Sequence, residues 1–318
     1  MKRTIEILSG AKRIILLPHI KPDGDTVGSC CALCEGLISL GRECFIYPEE
    51  PFTPKYAPMA EGLPVIYELT QADAVVAVDV AATGMLGDRG PLLEGKIDLC
   101  IDHHPSNTRY AGHTLLDPEA AATAEMIYGL IGEMGIELSA NIARNLYTGL
   151  ATDSGCFRFS NTTPRTMRIG ADLMERAGSV EDINNRFFAA VSRAKLEAQK
   201  TVLGTLAFFA GGRGASIVIS QDIYAATGAS EDDVDSFTQI PREIEGVEVG
   251  VTYKQCLRSG WRISMRSNGK VDVSALCAKF GGGGHKRAAG CSLDRPLDEV
   301  RAAIEAAVTE VLESERTD

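Results

Sequence analysis

The sequence predicts an α/β protein in which an N-terminal, mostly parallel sheet is flanked by helices and followed by a long connecting helix and a smaller C-terminal α/β domain. Apolar strand patterns alternate with helical patterns over the first 110 residues, as in βαβ units. Residues 180–209 carry a helical pattern without strand signals, and short strand patterns resume after residue 211. We therefore expect one domain over residues 1–185, a connecting helix or linker over 186–210, and a second domain over 211–318.

Four apolar runs rich in β-branched residues predict the strands of the N-terminal sheet, at residues 13–17, 43–47, 74–78 and 96–101. Between the first two runs, residues 26–40 predict a helix that ends at Gly41. Further helices are expected after Asp117–Pro118 and Thr163–Pro164, because a capping side chain followed by proline is typical of a helix start. Sheets of this kind bind ligands at the carboxyl ends of their strands.

The C-terminal part predicts a second, smaller α/β arrangement. Residues 215–220, 247–253 and 261–266 have the alternation and composition of short strands. Helices are expected near residues 275–280 and over residues 297–312.

The composition is that of an ordinary globular protein, with 45% hydrophobic and 24% charged residues. No apolar run approaches the roughly 20 residues of a membrane-spanning helix, and charges interrupt any signal-like start, so we expect a cytoplasmic protein without membrane contact. The nine cysteines are odd in number and lie mostly in apolar segments, which indicates free thiols. A net charge of -11 argues against a protein that coats long nucleic acid, so any polyanion must meet a local basic site.

Carboxylates and imidazoles follow the predicted strands at their carboxyl ends and also follow the helical stretch 146–151. Three of the five histidines in the chain belong to this set. So many like charges at one edge repel each other unless cations neutralise them, which predicts a site for more than one metal ion. Because oxygen donors outnumber nitrogen donors, the set favours Mn²⁺, with Mg²⁺ or Co²⁺ as substitutes. The residues are His19, Asp23, Asp25, Asp79, Asp102, His103, His104 and Asp153.

A basic segment interrupts the acidic sequence in the second domain, where Asp272 is the single acid between residues 254 and 290. Alternation along residues 261–266 places Arg262 and Arg266 on one strand face, where two arginines can clamp a phosphate. Gly282, Gly283 and Gly284 allow backbone N–H groups to approach an anion or a base, and His285 adds a side chain. A flexible connector is the alternative interpretation of these glycines. The basic positions are 254, 258, 262, 266, 270, 279, 286 and 287.

These motifs resemble those of a known family. The pattern His19-x-x-x-Asp23-x-Asp25, with Asp79, the triplet 102–104 and Asp153, is similar in order and spacing to the four motifs of the DHH phosphoesterase superfamily. Residues 281–290, GGGGHKRAAG, resemble the signature of the DHH-associated domain, so the resemblance covers nearly the whole chain. Residues 153–163 most resemble the branch of oligoribonucleases and 3′-phosphoadenosine 5′-phosphate phosphatases.

The resemblance implies two metal ions, preferably Mn²⁺. One is expected on His19, Asp23 and Asp79, and the second on Asp25, Asp79, His103 and Asp153, with Asp79 bridging. His104 and Asp102 are the implied catalytic pair: His104 faces the substrate, and Asp102 fixes an imidazole. The two arginines and the glycine-histidine segment of the second domain are expected to bind the nucleotide and its terminal phosphate.

The implied activity is a two-metal hydrolysis, in which a water bridging the metals attacks phosphorus. Its substrates are expected to be very short RNA and 3′-phosphoadenosine 5′-phosphate, and a homodimer is an expectation of the resemblance alone. A phosphodiesterase for cyclic dinucleotides or their linear products is the alternative, because it can share every ligand. A pyrophosphatase, an exonuclease for long single-stranded DNA and a non-catalytic nucleotide sensor remain further alternatives.

Overall fold

The computed structural model describes residues 1–257 and 259–314, and it divides the chain into a first unit, Met1–Ala190, and a second unit, Val191–Asp318. Arg258, one of the basic residues noted above, lies outside the described residues. All nine cysteines are free thiols. None of the helices in the described ranges is long and apolar enough to cross a membrane.

The first unit contains a five-stranded sheet in which every strand pair is parallel, as the sequence predicted. The strand order is β2-β1-β3-β4-β5. Alternate residues of β1 enter different cores: Ile14 and Leu16 pack toward one face, and Ile15 and Leu17 toward the other. The strands are β1 (Arg13–Leu17), β2 (Glu43–Ile46), β3 (Ala74–Val78), β4 (Leu99–Asp102) and β5 (His113–Leu116).

Seven α-helices surround this sheet. Three of them, α2, α4 and α5, contribute many buried residues to the larger core. The smaller core on the opposite face includes residues from a 3₁₀ helix, Thr83–Arg89, and from α3. The helices are α1 (Lys2–Gly10), α2 (Gly24–Ser39), α3 (Gly90–Leu93), α4 (Thr123–Glu133), α5 (Ala140–Asp153), α6 (Pro164–Ala177) and α7 (Glu181–Asn184).

One of the two proline-marked helix starts is confirmed and the other is wrong. The hydroxyl of Thr163 accepts a hydrogen bond from the backbone N–H of Thr166, which caps α6 as expected. Asp117 instead accepts the N–H of Glu119 in a turn, and α4 begins only at Thr123. Its first N–H groups donate to a carboxylate from another part of the chain, as described below, so a local capping residue is not needed.

The expected connecting helix over 186–210 is interrupted. A π-helical turn, Asn185–Ala189, ends the first unit, and Ala190 has extended backbone angles. The hydroxyl of Ser192 then caps a new helix by accepting the N–H of Lys195, so the long helical pattern is two helices with a break. The second helix is followed by a short strand that the sequence did not indicate. These two elements are α8 (Arg193–Leu203) and β6 (Ala207–Phe209).

The second unit is built on a six-stranded mixed sheet with the order β10-β11-β9-β8-β7-β6. Among the described residues of this unit, only β7 and β8 pair in parallel. Within the glycine-histidine segment, Gly283–His285 form the edge strand β10, so this part of the segment is not a flexible connector. The strands are β7 (Gly214–Ile219), β8 (Val249–Gln255), β9 (Trp261–Ser267), β10 (Gly283–His285) and β11 (Ala288–Leu293). The helices are α9 (Gln221–Thr227), α10 (Glu231–Asp235), α11 (Ile240–Glu243), α12 (Val273–Ala278) and α13 (Leu297–Ser314).

Candidate metal centre

Carboxylates and imidazoles meet at the carboxyl edge of the first unit's parallel sheet. His19 and Asp23 lie in the turn after β1, Asp79 follows β3, and His103 follows β4. Asp153 is the last residue of α5. The structure thus brings together side chains that are far apart in the sequence, as expected where parallel strands end.

The imidazoles of His19 and His103 point their Nε2 atoms at the carboxylates. The Nε2 of His19 lies 3.8 Å from Oδ2 of Asp79 and 3.9 Å from Oδ1 of Asp23. The Nε2 of His103 lies 3.8 Å from Oδ1 of Asp79 and 3.3 Å from Oδ2 of Asp153. Asp79 therefore lies between His19 with Asp23 on one side and His103 with Asp153 on the other. Three groups of potential metal ligands overlap here: His19, Asp23 and Asp79; Asp79, His103 and His104; and Asp25, His103 and Asp153.

Backbone carbonyls fix the orientation of both rings. The Nδ1 of His19 lies 2.7 Å from the carbonyl oxygen of Ile20, and the Nδ1 of His103 lies 3.1 Å from that of Ala120. A ring that donates its Nδ1–H to a carbonyl leaves the lone pair of Nε2 for a metal ion. Because α4 begins at Thr123 and not directly after Pro118, the Ala120 carbonyl lies before the helix and is available to orient His103.

Asp79 is buried and is held by two hydroxyl groups. Thr26 donates a hydrogen bond of 2.6 Å to Oδ2, and Thr123 donates one of 2.8 Å to Oδ1. The backbone of Asp79 is left-handed, with φ at 62°, and its N–H donates to the carbonyl of Ile101. A left-handed aspartate is uncommon, and such conformations concentrate at functional sites.

Asp25 supplies the cap that α4 lacks locally. Its Oδ2 accepts the N–H of Thr123 at 2.7 Å, and its Oδ1 accepts the N–H of Ala124 at 2.9 Å. The positive end of the helix dipole stabilises a carboxylate in this position. The potential ligand atoms of Asp25, His103 and Asp153 lie within 4.8 Å of one another, so the same side chain can join α4 to this group of donors.

His104 and Asp102 form a hydrogen-bonded pair, and the Nδ1 of His104 also lies 3.6 Å from Oδ1 of Asp79. The Nδ1 of His104 lies 2.7 Å from Oδ1 of Asp102, and Asn107 donates to the other carboxylate oxygen at 2.6 Å. The hydrogen bond to Asp102 raises the pKa of His104 to about 9. Burial opposes ionisation of Asp102, but the hydrogen bonds from His104 and Asn107 keep its pKa below the ordinary value. The imidazole that Asp102 fixes is therefore that of His104.

The carboxyl groups of the cluster fit divalent cations. Burial, and then the neighbouring charge of Asp79, raises the pKa of Asp25 well above its usual value. Burial likewise raises the pKa of Asp79 and raises that of Asp153 to about 7. Divalent ions offset this repulsion, and a set of carboxylate oxygens with two imidazole nitrogens matches the donors that Mn²⁺ accepts.

The crowded carboxyls predict that the metal-free protein loses stability as the pH rises. Because the folded-state pKa of Asp153 is raised to about 7, its stabilising contribution is complete below the ordinary pKa of 3.8 and is lost as the pH rises through about 7. The raised pKa values of Asp25 and Asp79 act in the same direction. Urea unfolding of metal-free protein at pH about 5 and about 8 measures the effect. Equal or greater stability at the higher pH contradicts it.

The close packing of α5 against the carboxylate of Asp25 predicts the effect of a substitution at Gly149. A Cβ atom on Gly149 would lie 2.9 Å from Oδ1 of Asp25 and 2.8 Å from the Cβ of Ala124. Gly149→Ala is therefore expected to displace Asp25, to lower the free energy of unfolding by about 1–3 kcal/mol, and to weaken Mn²⁺ binding. Gly129→Ala is the matched control, since its Cβ meets no atom within 4 Å, and it is expected to stabilise α4 slightly. Calorimetric Mn²⁺ titration and urea unfolding compare the two, and equal behaviour contradicts the prediction.

The basic strand face predicted in the second unit is present on β9. Ile263 and Met265 are fully buried, whereas Arg262 is exposed and Ser264 and Arg266 are partly exposed. Burial, and then repulsion from neighbouring arginines, lowers the pKa of Arg266. A partly buried cation of this kind favours an anionic partner.

The glycine-histidine segment lies in register with this face. His285 pairs with Ala288 of β11, which pairs with Arg266 of β9, so the three residues form one row across the sheet. Close packing requires a glycine at position 282, because a Cβ atom added there would lie 2.2 Å from the carbonyl oxygen of Gly290. Gly283 instead faces open space, with nothing within 4 Å of its Cβ position.

Several residues of the site carried no sequence signal on which a role could rest. Thr26 and Thr123 hold Asp79, Asn107 holds Asp102, and the carbonyl of Ala120 orients His103. Thr26 directly follows the aspartate motif, which is the one local indication that it faces the site. Thr123 begins α4, which packs against α2, so its contact with Asp79 depends on tertiary packing.

Comparisons with known proteins agree with this architecture. The model of the DHH family, N-terminal domain, matches residues 13–150, and the model of the DHHA1 domain matches residues 216–313. A bifunctional oligoribonuclease and PAP phosphatase NrnA from Thermus thermophilus is 34% identical, covering 98% of this chain and 94% of that protein. The protein of the same name from Bacillus subtilis is 28% identical, covering 91% and 92%. The crystal structure of an exopolyphosphatase-related protein from Bacteroides fragilis superposes with a TM-score of 0.90 at 23% identity, covering 100% of this chain and 97% of that one.

The family match and these relatives place the protein among the enzymes of the phosphoesterase class. The chain belongs to the DHH family with a DHHA1 domain, the family that contains these NrnA relatives. The resemblance found in the sequence is thus confirmed for both parts of the chain.

Proposed function

We propose that this enzyme hydrolyses very short RNA oligonucleotides to mononucleotides and 3′-phosphoadenosine 5′-phosphate to AMP, with two Mn²⁺ ions per active site. The observation that carries the proposal is the position of Asp79 between two donor groups, His19 with Asp23 on one side and His103 with Asp153 on the other. The names of the relatives from Thermus thermophilus and Bacillus subtilis support the substrates.

The donor groups propose which residues hold each ion. One ion would be held by His19, Asp23 and Asp79, and the other by Asp25, Asp79, His103 and Asp153. When bound, the ions supply Lewis-acid activation of water and neutralise charge on the phosphoryl oxygens. Thr26 and Thr123 keep both oxygens of Asp79 in place during the reaction, so no reorganisation of this carboxylate is needed.

His104 acts on the substrate. Its Nδ1 is held by Asp102, which leaves Nε2 as the ring atom that contacts a phosphoryl or leaving-group oxygen. Asn107 holds Asp102 in turn, so the ring is fixed before the substrate arrives. Asp102 is the positioning residue of this pair.

The second unit supplies the cationic and backbone groups that recognise the nucleotide. Arg262 and Arg266 bind phosphate, and the segment of Gly282, Gly283, Gly284 and His285 contacts the remainder of the nucleotide. The shared row of His285 and Arg266 across the sheet supports this assignment. A small basic surface in a chain with a net charge of -11 suits short substrates better than long strands.

Product analysis with a 5′-phosphorylated dinucleotide tests the proposal. Mn²⁺-loaded protein is expected to convert it to two mononucleotides, and a chelator is expected to stop the conversion until Mn²⁺ is restored. Turnover that survives complete metal removal, or a dinucleotide that stays intact in excess Mn²⁺, overturns the proposal.

A further inference from the structure

The segment that follows Asp153 has an unusual backbone. Gly155, Cys156 and Phe157 are consecutive left-handed residues, with φ values of 58°, 57° and 63°. Two of them are not glycine, and a left-handed conformation is costly for a residue with a Cβ atom. Such backbone strain persists only where the surroundings enforce it, and it concentrates at functional sites.

Hydrogen bonds hold this turn against the metal centre. The hydroxyl of the buried Ser154 accepts the N–H of Phe157, and the carbonyl of Ser154 accepts the N–H of Phe159. At the other end of the segment, the side-chain amide of Asn161 donates to the carbonyls of Asp153 and Ala121, at 3.2 and 2.9 Å. Residues 154–161 therefore loop back to the Asp153 backbone.

The two phenylalanines of this turn lie in different surroundings. Phe157 packs into the core, with its ring centroid 6.0 Å from that of Tyr147. Phe159 keeps 48% of its surface exposed, although its ring lies directly on Gly155. A Cβ atom at position 155 would lie 2.4 Å from that ring, so the glycine is what allows the ring to rest there. Core packing accounts for Phe157 but not for the exposure of Phe159.

The residue that directly precedes the exposed ring is a cation. Arg158 is exposed, and its Nε donates a hydrogen bond of 2.8 Å to the carbonyl of Gly155, which orients the guanidinium along the turn. Among the residues whose side chains the structure describes, no carboxylate forms an ion pair with it. An aromatic face next to a free cation is the combination with which proteins hold a base and its phosphate.

We propose that Phe159 is a stacking platform for a nucleobase of the substrate, and that Arg158 faces the adjoining phosphate, in a subsite of the first unit beside Asp153. This inference rests on the proposed function, because it describes how the enzyme binds the nucleotide substrate of that function. Stacking on a phenyl ring accepts any base, so the subsite contributes affinity without sequence preference.

Paired substrates test the platform. The two substrates are a 5′-phosphorylated diadenosine dinucleotide and an analogue in which both adenines are replaced by hydrogen. The measured quantity is kcat/KM for the dinucleotide divided by kcat/KM for the analogue. Phe159→Leu is expected to reduce this ratio about tenfold, because KM for the dinucleotide rises while its kcat is unchanged. Phe159→Trp is expected to restore the ratio. Phe208→Leu, which removes a phenylalanine of 55% exposure from β6, is the matched control and is expected to leave the ratio unchanged.

A ratio that Phe159→Leu does not change, or that Phe159→Trp does not restore, overturns the inference. Binding is tested separately from turnover by the tryptophan fluorescence of Phe159→Trp, which AMP is expected to quench beyond the quenching seen in the unaltered protein. Absence of this additional quenching also overturns the inference. Failure of the unaltered enzyme to cleave the dinucleotide instead overturns the proposed function, so the two failures are distinguishable.

Discussion

Replacing Asp79 with asparagine is expected to abolish activity and Mn²⁺ binding together. Asparagine tolerates the left-handed backbone at this position and keeps the shape of the side chain. The change removes the charge between the two donor groups and replaces one of the two oxygens that accept hydroxyl groups with an amide nitrogen. Since bound metal ions contribute several kcal/mol to such reactions, kcat/KM is expected to fall by about 10³-fold or more. Calorimetric Mn²⁺ titration and dinucleotide hydrolysis measure the two losses.

The same variant is expected to fold. Burial and the charge of Asp23 raise the pKa of Asp79, so the neutral side chain relieves repulsion in the metal-free protein. The melting temperature of metal-free Asp79→Asn is therefore expected to equal or exceed that of the unaltered protein, and Mn²⁺ is expected to raise only the latter. Asp98→Asn is the matched control, because Asp98 lies before β4 at the opposite edge of the sheet and is expected to keep full activity. Retained turnover in Asp79→Asn contradicts the assignment.

His104→Gln is expected to lower kcat by about 10²–10⁴-fold while Mn²⁺ affinity stays within about twofold, because His104 is assigned to the substrate and not to a metal ion. The glutamine keeps a polar group near Asp102 but lacks the ring nitrogen that faces the substrate. Hydrolysis rates at saturating substrate, together with Mn²⁺ titration, separate the two effects.

His113→Gln provides the control for this change. His113 begins β5, and burial followed by neighbouring positive charge lowers its pKa, with no contact to the cluster among the described residues. Its replacement is expected to leave kcat unchanged. A loss of Mn²⁺ binding in His104→Gln that parallels its loss of activity would assign His104 to a metal ion instead.

The sequence predicted much of the parallel sheet and the edge on which the acidic residues meet. Buried parallel strands have continuous apolar sequences, which is why β1, β3 and β4 could be predicted. The residues that follow these strands lie at one edge of the sheet, because parallel strands end on the same side. The strand β5 was missed because all four of its residues are only partly buried, at the margin of the sheet. The alternation that placed Arg262 and Arg266 on one face of β9 was also visible, because a period of two is a local signal.

The contacts that shape the site depend on tertiary packing and could not be predicted. Asp25 caps a helix that begins 98 residues later, and nothing local to Thr123 indicates that its N–H and hydroxyl serve two different aspartates. For the same reason Asp117–Pro118 was a misleading helix start, since the cap of α4 comes from elsewhere in the chain. The break between α7 and α8 contains a π-helical turn and ends at the capping serine Ser192, within an otherwise continuous helical pattern.

Product analysis of one equimolar substrate mixture tests the central claim most directly. Mn²⁺-loaded protein is added to a 5′-phosphorylated dinucleotide, a short RNA, a long single-stranded DNA, 3′-phosphoadenosine 5′-phosphate, a cyclic dinucleotide and pyrophosphate. We predict that mononucleotides from the dinucleotide and short RNA, and AMP from the bisphosphate, appear before any other product. Consumption of the cyclic dinucleotide or of pyrophosphate ahead of these would contradict the account and assign the same cluster to a different substrate.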